Sequence, residues 1–166
     1  FMRGQTTPVF FGSAVNNFGI EPFLEALAEL APAPQPTQSA EGLVDPADAD
    51  FSGFVFKIQA NMDPRHRDSM AFMRVCSGRF EKDMLVFHPR ANKSIRMSRP
   101  HRLFAQERET VELAYAGDVI GLANPGVFAI GDTVYAGKPV KFPAIPRFQP
   151  ECFARLVSLT ITKQKQ

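Results

Sequence analysis

The sequence has 166 residues, 45% of them hydrophobic, with 16 Phe, no Trp and a net charge of only +2. This is enough apolar side chain for one core of ordinary size plus a piece of a second unit, and no apolar run approaches the roughly 20 residues that a membrane-spanning helix requires. Two cysteines, Cys76 and Cys152, lie far apart without a CxxC partner, which excludes a disulfide framework and a thiolate metal site and leaves reduced packing residues as the expectation.

The chain opens with Phe1 ahead of Met2 and closes on the polar run Lys163-Gln164-Lys165-Gln166, so a piece cut from a longer protein is expected. Its start lacks the basic, apolar, then small-residue order of a secretory signal, and a cytoplasmic setting follows. The stretch TPVFFGSAVNNFGIEPFLEAL, Thr7 to Leu27, reads as an apolar strand that stops at Gly12-Ser13-Ala14 and passes through a polar loop into a helix. Ile20, Phe23, Leu24, Leu27 and Leu30 recur at helical spacing with Glu21, Glu25 and Glu29 on another face, which predicts an amphipathic helix over 20–31. Pro22 is tolerated in the first turn, and Pro32, Pro34 and Pro36 end the helix. Residues 32–50, rich in Pro, Ala, Asp and Ser, read as a linker.

From Phe51 the texture changes to period-two alternation, first Phe54, Phe56 and Ile58 against Val55, Lys57 and Gln59. Further strands are predicted at 69–76, 83–88, 93–98, 101–105, 109–114, 117–122 and 132–136. Turn signals such as Asp63-Pro64, Ser77-Gly78, His88-Pro89, Asn124-Pro125-Gly126 and Gly131-Asp132 separate them. Many short strands without intervening helices predict a mainly β chain built on a small antiparallel barrel, in which closure removes edges. Pro143, Pro146 and Pro150 punctuate an exit segment, and 151–160 reads as the first strand of a further unit. The division expected is 1–31, 32–50, 51–142 and 143–166.

Charge is uneven along this plan. Residues 57–108 hold 12 Lys and Arg against 5 Asp and Glu, together with all three histidines, whereas residues 1–56 hold 1 against 7. Such a basic middle suits a polyanionic partner, although a solvated basic face gives the same count. Phosphate-loop candidates fail. Gly131 to Lys138 has one residue too many between its glycines and Pro139 where a hydroxyl is needed, and Gly121 to Gly126 is followed by Val127. Asn92-Lys93-Ser94-Ile95 lacks the acid of a guanine-reading NKxD, and Asp118 to Gly121 fits DxxG only inside an apolar strand. The densest polar cluster, Asn61 to Ser69, offers Asp63, His66 and Asp68 as conceivable metal or acid–base groups. Arg65 and Arg67 beside them would repel a cation; they suit ion pairs across a loop or bidentate contact with phosphate.

The run FSGFVFKIQANMDPRHRDSMAFMRVCSGRFEKDM, Phe51 to Met84, resembles the second domain of the bacterial release factor 3 family of translational GTPases. The flanks resemble it too: TPVFFGSAVNNFGIEPFLEALAELAPAP is similar to the end of that family's GTPase domain, AYAGDVIGLANPGVFAIGDTVYAG to its later barrel strands, and FPAIPRFQPECFARL with KQKQ to the start of its third domain. The match is loose over 90–108 and at 157–162. The resemblance implies a translation-factor barrel preceded by a strand–loop–helix remnant of an α/β GTPase domain. It implies that Ser13, Ala14 and Val15 form the guanine-side loop in the full-length protein, chiefly through the Ala14 amide. GTP or GDP with Mg²⁺ would then belong to the parent protein and no cofactor or metal to this chain, because the phosphate loop, the switches and the true NKxD would precede Phe1.

By the same resemblance the partner is the ribosome, through ribosomal RNA and small-subunit proteins, with class I release factors engaged indirectly, no membrane, and a monomeric chain. The basic span supplies the expected RNA-facing residues: Arg65, His66, Arg67, Arg74, Arg79 and Lys93. No catalytic residue is expected, and the chain reads as a ribosome-binding relay. Two alternatives stay open, the second domain of an elongation-type factor and a small metal-dependent hydrolase using Asp63, His66 and Asp68. Phe10, Phe11 and Phe18 would normally pack into the rest of a nucleotide domain, so exposure or repacking is expected for them.

Overall fold

A computed structural model describes residues 1, 4–60, 69–98, 100–104, 107–146, 148–155 and 157. Only one α-helix is found among them, α1 (Ile20–Leu30), one residue shorter than the apolar spacing predicts because Ala31 is already extended at φ −66, ψ 119; Pro89–Ala91 add a single 3-10 turn. No residue of α1 is buried. Phe10 packs edge-on against Phe23 with ring centroids 5.5 Å apart, yet Phe11, Phe18, Leu24 and Leu27 are exposed.

The proline-rich segment is more structured than its composition suggests. It contains a hairpin of β1 (Thr37–Ser39) and β2 (Gly42–Val44), closed by the register Thr37↔Val44 and Ser39↔Gly42. Two long-range bonds fix this hairpin to the segment around Lys141: the Ala40 N–H donates to the Lys141 carbonyl at 2.9 Å, and the Lys141 N–H donates to Glu41 Oε2 at 2.8 Å.

The body is all β. Ten strands follow: β3 (Phe51–Gln59), β4 (Ser69–Ser77), β5 (Arg79–Glu81), β6 (Leu85–His88), β7 (Lys93–Arg96), β8 (Pro100–Phe104), β9 (Glu107–Thr110), β10 (Leu113–Tyr115), β11 (Val119–Asn124) and β12 (Thr133–Ala136). Eight of them make one curled antiparallel sheet in the order β7-β6-β12-β3-β4-β11-β8-β9, and β5 pairs separately with β10. The barrel expected from the strand pattern is therefore present, but the ladder itself has two ends, β7 and β9. Backbone bonds prolong both end pairs: Asp83 N–H donates to the Met97 carbonyl at 3.0 Å and Met97 N–H to the Met84 carbonyl at 2.9 Å beyond β6–β7, and Val111 N–H donates to the Pro100 carbonyl at 3.0 Å beyond β8–β9. Met97 is buried there, as are Val111 and Ala114.

The alternation in β4 places Ala71, Met73 and Val75 inward and Arg74 outward. In β3 the inward residue is Val55, fully buried, while Phe56 is 40% exposed, the reverse of a simple reading of Phe54, Phe56 and Ile58 as one inner face. A register shift between Val55 and Lys57 then inserts a residue and returns Ile58 to the core side. Phe80, Met73, Ile120, Leu122, Val86 and Val134 complete the core around Val55 and Val75. Full burial of a side chain such as Phe80 contributes about 2–3 kcal/mol.

Candidate functional site

The guanine-side loop expected at Ser13–Val15 is a tight hairpin turn ahead of α1. Ser13 N–H donates to the Phe18 carbonyl at 2.9 Å, Phe18 N–H returns to Ser13 at 3.0 Å, and Asn16 N–H donates to Ser13 Oγ at 3.3 Å. Gly12 and Gly19 make the close approach possible, since a Cβ on Gly19, at φ +71, would sit 2.5 Å from the Phe11 carbonyl oxygen. Ser13 is thus occupied in holding the turn. Ala14 and Val15 are exposed, and among the described residues no acceptor is bonded to their N–H groups. The turn leaves the Ala14 N–H open to an acceptor from outside the described residues. Among the described residues no group of three or more His, Cys, Asp or Glu side chains gathers as a metal site.

Arg65, His66 and Arg67, with Asp63 and Asp68, lie outside the described residues. The other three basic residues do not converge. Arg74 projects from mid-sheet β4, opposite Phe54 on β3 and Val119 on β11. Lys93 stands on the edge strand β7, paired with His88, four strands away from β4 in the sheet order. Arg79 lies on β5 and is ion-paired with Glu81, so its charge is partly answered within the chain. Lys82 is likewise paired with Glu112 at 2.8 Å. Of the cysteines, Cys76 is half-buried and burial pushes its thiol up to about 11 in spite of the lowering charge of Arg74; Cys152 is exposed, contrary to the packing role expected for it.

A densely bonded polar corner among the described residues was not legible as such in the sequence. Asp132, in the turn before β12, accepts from Arg90 Nε at 2.7 Å and Nη2 at 2.9 Å and from the Ala129 N–H at 2.7 Å. Arg90 also donates to the Val127 carbonyl at 2.8 Å. His88, fully buried against the Phe128 ring with centroids 5.6 Å apart, places Nε2 2.9 Å from Asp132 Oδ2, an ion-pair distance without hydrogen-bond alignment. Burial raises the Asp132 carboxyl, but the Arg90 and Ala129 hydrogen bonds and the charges of His88 and Arg90 outweigh it and hold the group below the usual carboxylate range. Asn124 fastens the other end of the same loop, its Oδ1 accepting from Phe128 N–H at 2.9 Å and its Nδ2 donating to the Phe128 carbonyl at 3.0 Å. The network joins β6, the turn after it, and the Asn124–Asp132 loop into one rigid corner. Its Asp132, Arg90 and Asn124 side chains are bonded within the corner, while both buried His88 ring nitrogens make no hydrogen bond among the described residues.

No helix among the described residues is long and apolar enough to cross a membrane. Comparison with known proteins gives a consistent picture. A family model described as elongation factor G domain 2 matches residues 50–137, which spans β3 to β12. Peptide chain release factor 3 of Synechocystis is 60% identical over 162 residues, covering 98% of this chain and 30% of that protein. Those of Rippkaea orientalis and Gloeobacter violaceus are 60% and 58% identical over 98% and 99% of this chain. The chain spans about a third of the length of these curated relatives. On its matched span, its curled antiparallel sheet and its similarity to release factor 3 proteins over nearly every residue, the chain belongs to the elongation factor G domain 2 family.

Proposed function

We propose that this chain is the guanine-side tail and second-domain barrel of a ribosome-dependent GTPase that acts in translation termination in the cytoplasm, in the manner of release factor 3. In that setting the whole protein binds the ribosome after peptide release, recycles the stop-codon-reading class I factor and leaves after GTP hydrolysis. Residues 1–31 close the guanine side of the nucleotide site, 32–50 connect, 51–142 are the barrel and 143–166 begin the next domain. The 58–60% identity to proteins named peptide chain release factor 3 carries this reading over the elongation-type one. GTP with Mg²⁺ supplies the phosphoryl chemistry when the whole protein is assembled; here the Ala14 N–H would do no more than meet the base. The sequence contains no GxxxxGK[ST], so no group in it cradles a γ-phosphate, and catalysis of phosphoryl transfer is mostly that positioning.

The chain itself is then a monomeric docking and relay module, with ribosomal RNA and small-subunit proteins as direct partners and class I release factors as indirect ones. Calorimetric titration of the 166-residue chain with GTP or GDP is expected to give no binding heat; specific micromolar binding would overturn the assignment. Arg65, His66, Arg67 and Lys93 are the residues proposed to face RNA, with Arg79 a weaker contributor because Glu81 competes for it. In the full-length protein, Arg65→Glu with Arg67→Glu is expected to weaken ribosome association and flatten its salt dependence, because fewer counterions are released. Sedimentation showing the same association across salt for variant and parent would defeat the role of that loop.

A further inference from the structure

The face of β3 and β4 that carries Arg74 opens into a groove of about 760 Å³, within the size range of ligand sites. Phe54 and Arg74, directly opposed in the β3–β4 ladder, make the floor. Residues 32–37 form one wall and 142–146 the other, with Phe142 edge-on to Phe54 at 6.0 Å between centroids. The first wall is held in place. Pro34 passes so close to Gly117 that a Cβ there would lie 2.5 Å from the Pro34 ring, and the hairpin that follows is bonded to Lys141.

The chemistry of the lining is selective. Among the described residues Arg74 is the only charged one that borders the groove, and its guanidinium has no ion pair or hydrogen-bond partner among them. Cys76, two residues along the same face, remains a neutral thiol. Pro32, Pro34 and Pro36 have no N–H, so that wall offers ring faces and carbonyl acceptors but few donors. Phe54, Phe142 and Ile145 supply apolar contact.

We propose that this groove binds a short extended peptide segment in which a carboxylate lies next to an apolar side chain. The carboxylate meets the Arg74 guanidinium, whose planar fork suits two parallel bonds. The apolar side chain rests against Phe54 and Phe142, and backbone N–H groups of the peptide face the proline carbonyls. RNA is the poorer occupant: its phosphates would face those carbonyls and meet a single cation among the described residues, whereas RNA-binding surfaces gain affinity by neutralising several phosphates. This role of Arg74 does not depend on the ribosomal assignment of the chain.

The test is a titration of the ¹⁵N-labelled 166-residue chain with acetyl-Leu-Pro-Glu-Phe-amide, its Gln counterpart and a uridine dodecamer, followed through the Thr37, Gly117 and Ala144 amides. Saturable shifts at these positions are expected with the Glu peptide, with affinity at least about tenfold weaker for the Gln peptide, the tenfold step that a lost charged bond of about 1.4 kcal/mol gives. The same loss is expected with the Glu peptide on Arg74→Gln. Equal affinity for the two peptides, no saturation at millimolar peptide, or binding unaffected by Arg74→Gln overturns the proposal. Displacement of the peptide by the dodecamer with the same dependence on Arg74 overturns it in favour of RNA.

Discussion

Replacing Asp132 by Ala is expected to destabilise the chain by about 3 kcal/mol, lowering the thermal midpoint followed by circular dichroism by roughly 10 °C. The side chain is 5% exposed and accepts three hydrogen bonds, two from Arg90 and one from the Ala129 N–H. Its removal takes away the carboxylate that stands 2.9 Å from the fully buried His88 Nε2 and frees the Ala129 amide in a tight turn. Arg90→Gln should cost less, about 1 kcal/mol, because the Arg90 side chain is 53% exposed and its charge can be hydrated. The pH dependence has a definite sign. A carboxyl held below its ordinary range in the folded state stabilises the fold fully above the unfolded value, near pH 4, and loses that contribution as pH falls through the lower folded value. The gap between parent and Asp132→Ala should therefore be widest at neutral pH and close toward pH 2. A cost below 1 kcal/mol, or a gap that widens in acid, would show that the corner is held by packing alone.

The same corner marks the limit of what the sequence made legible. Gly131-Asp132 and His88-Pro89 could each be recognised as a turn, because Gly, Asp and Pro act on their own backbone. Nothing local announces that the two turns meet, since Arg90 and Asp132 are 42 residues apart in sequence. The long strands were legible for the opposite reason: in β4 the alternation of Met73, Arg74 and Val75 follows directly from the pleat. Short elements that depend on distant partners escaped. β1 and β2 are three residues each in a proline-rich stretch and are fixed by Lys141, about 100 residues on. β5, also three residues, sits immediately after a Ser-Gly pair that reads as a simple turn. At β6 the start moves from 83 to 85, because Asp83 adopts φ 64 and the Met84 N–H folds back to the Glu81 carbonyl at 3.1 Å. The turn at Ser13–Val15 was legible in position from Gly12, but the hydrogen bonds that occupy Ser13 depend on Phe18 and Asn16 folding back onto it.

A second substitution with a large expected effect is Gly78→Ala, at about 3 kcal/mol or more. Gly78 has φ +66, a region that costs a residue with a Cβ about 1–2 kcal/mol. A Cβ there would also stand 2.7 Å from the Asp50 carbonyl oxygen and 2.8 Å from Phe51 N, both backbone atoms that cannot rotate aside. Those atoms are pinned from the other side as well, since Ser77 Oγ donates to the same Asp50 carbonyl at 2.8 Å and the Lys138 N–H donates to Asp50 Oδ2 at 3.2 Å. Gly126→Ala separates the two contributions, because Gly126 has φ +95 but nothing within 4 Å of an added Cβ, so backbone strain alone should cost it about 1–2 kcal/mol. Chemical denaturation of both variants should place Gly78→Ala well below Gly126→Ala; equal midpoints would mean that the approach of Gly78 to Asp50 is not a rigid constraint.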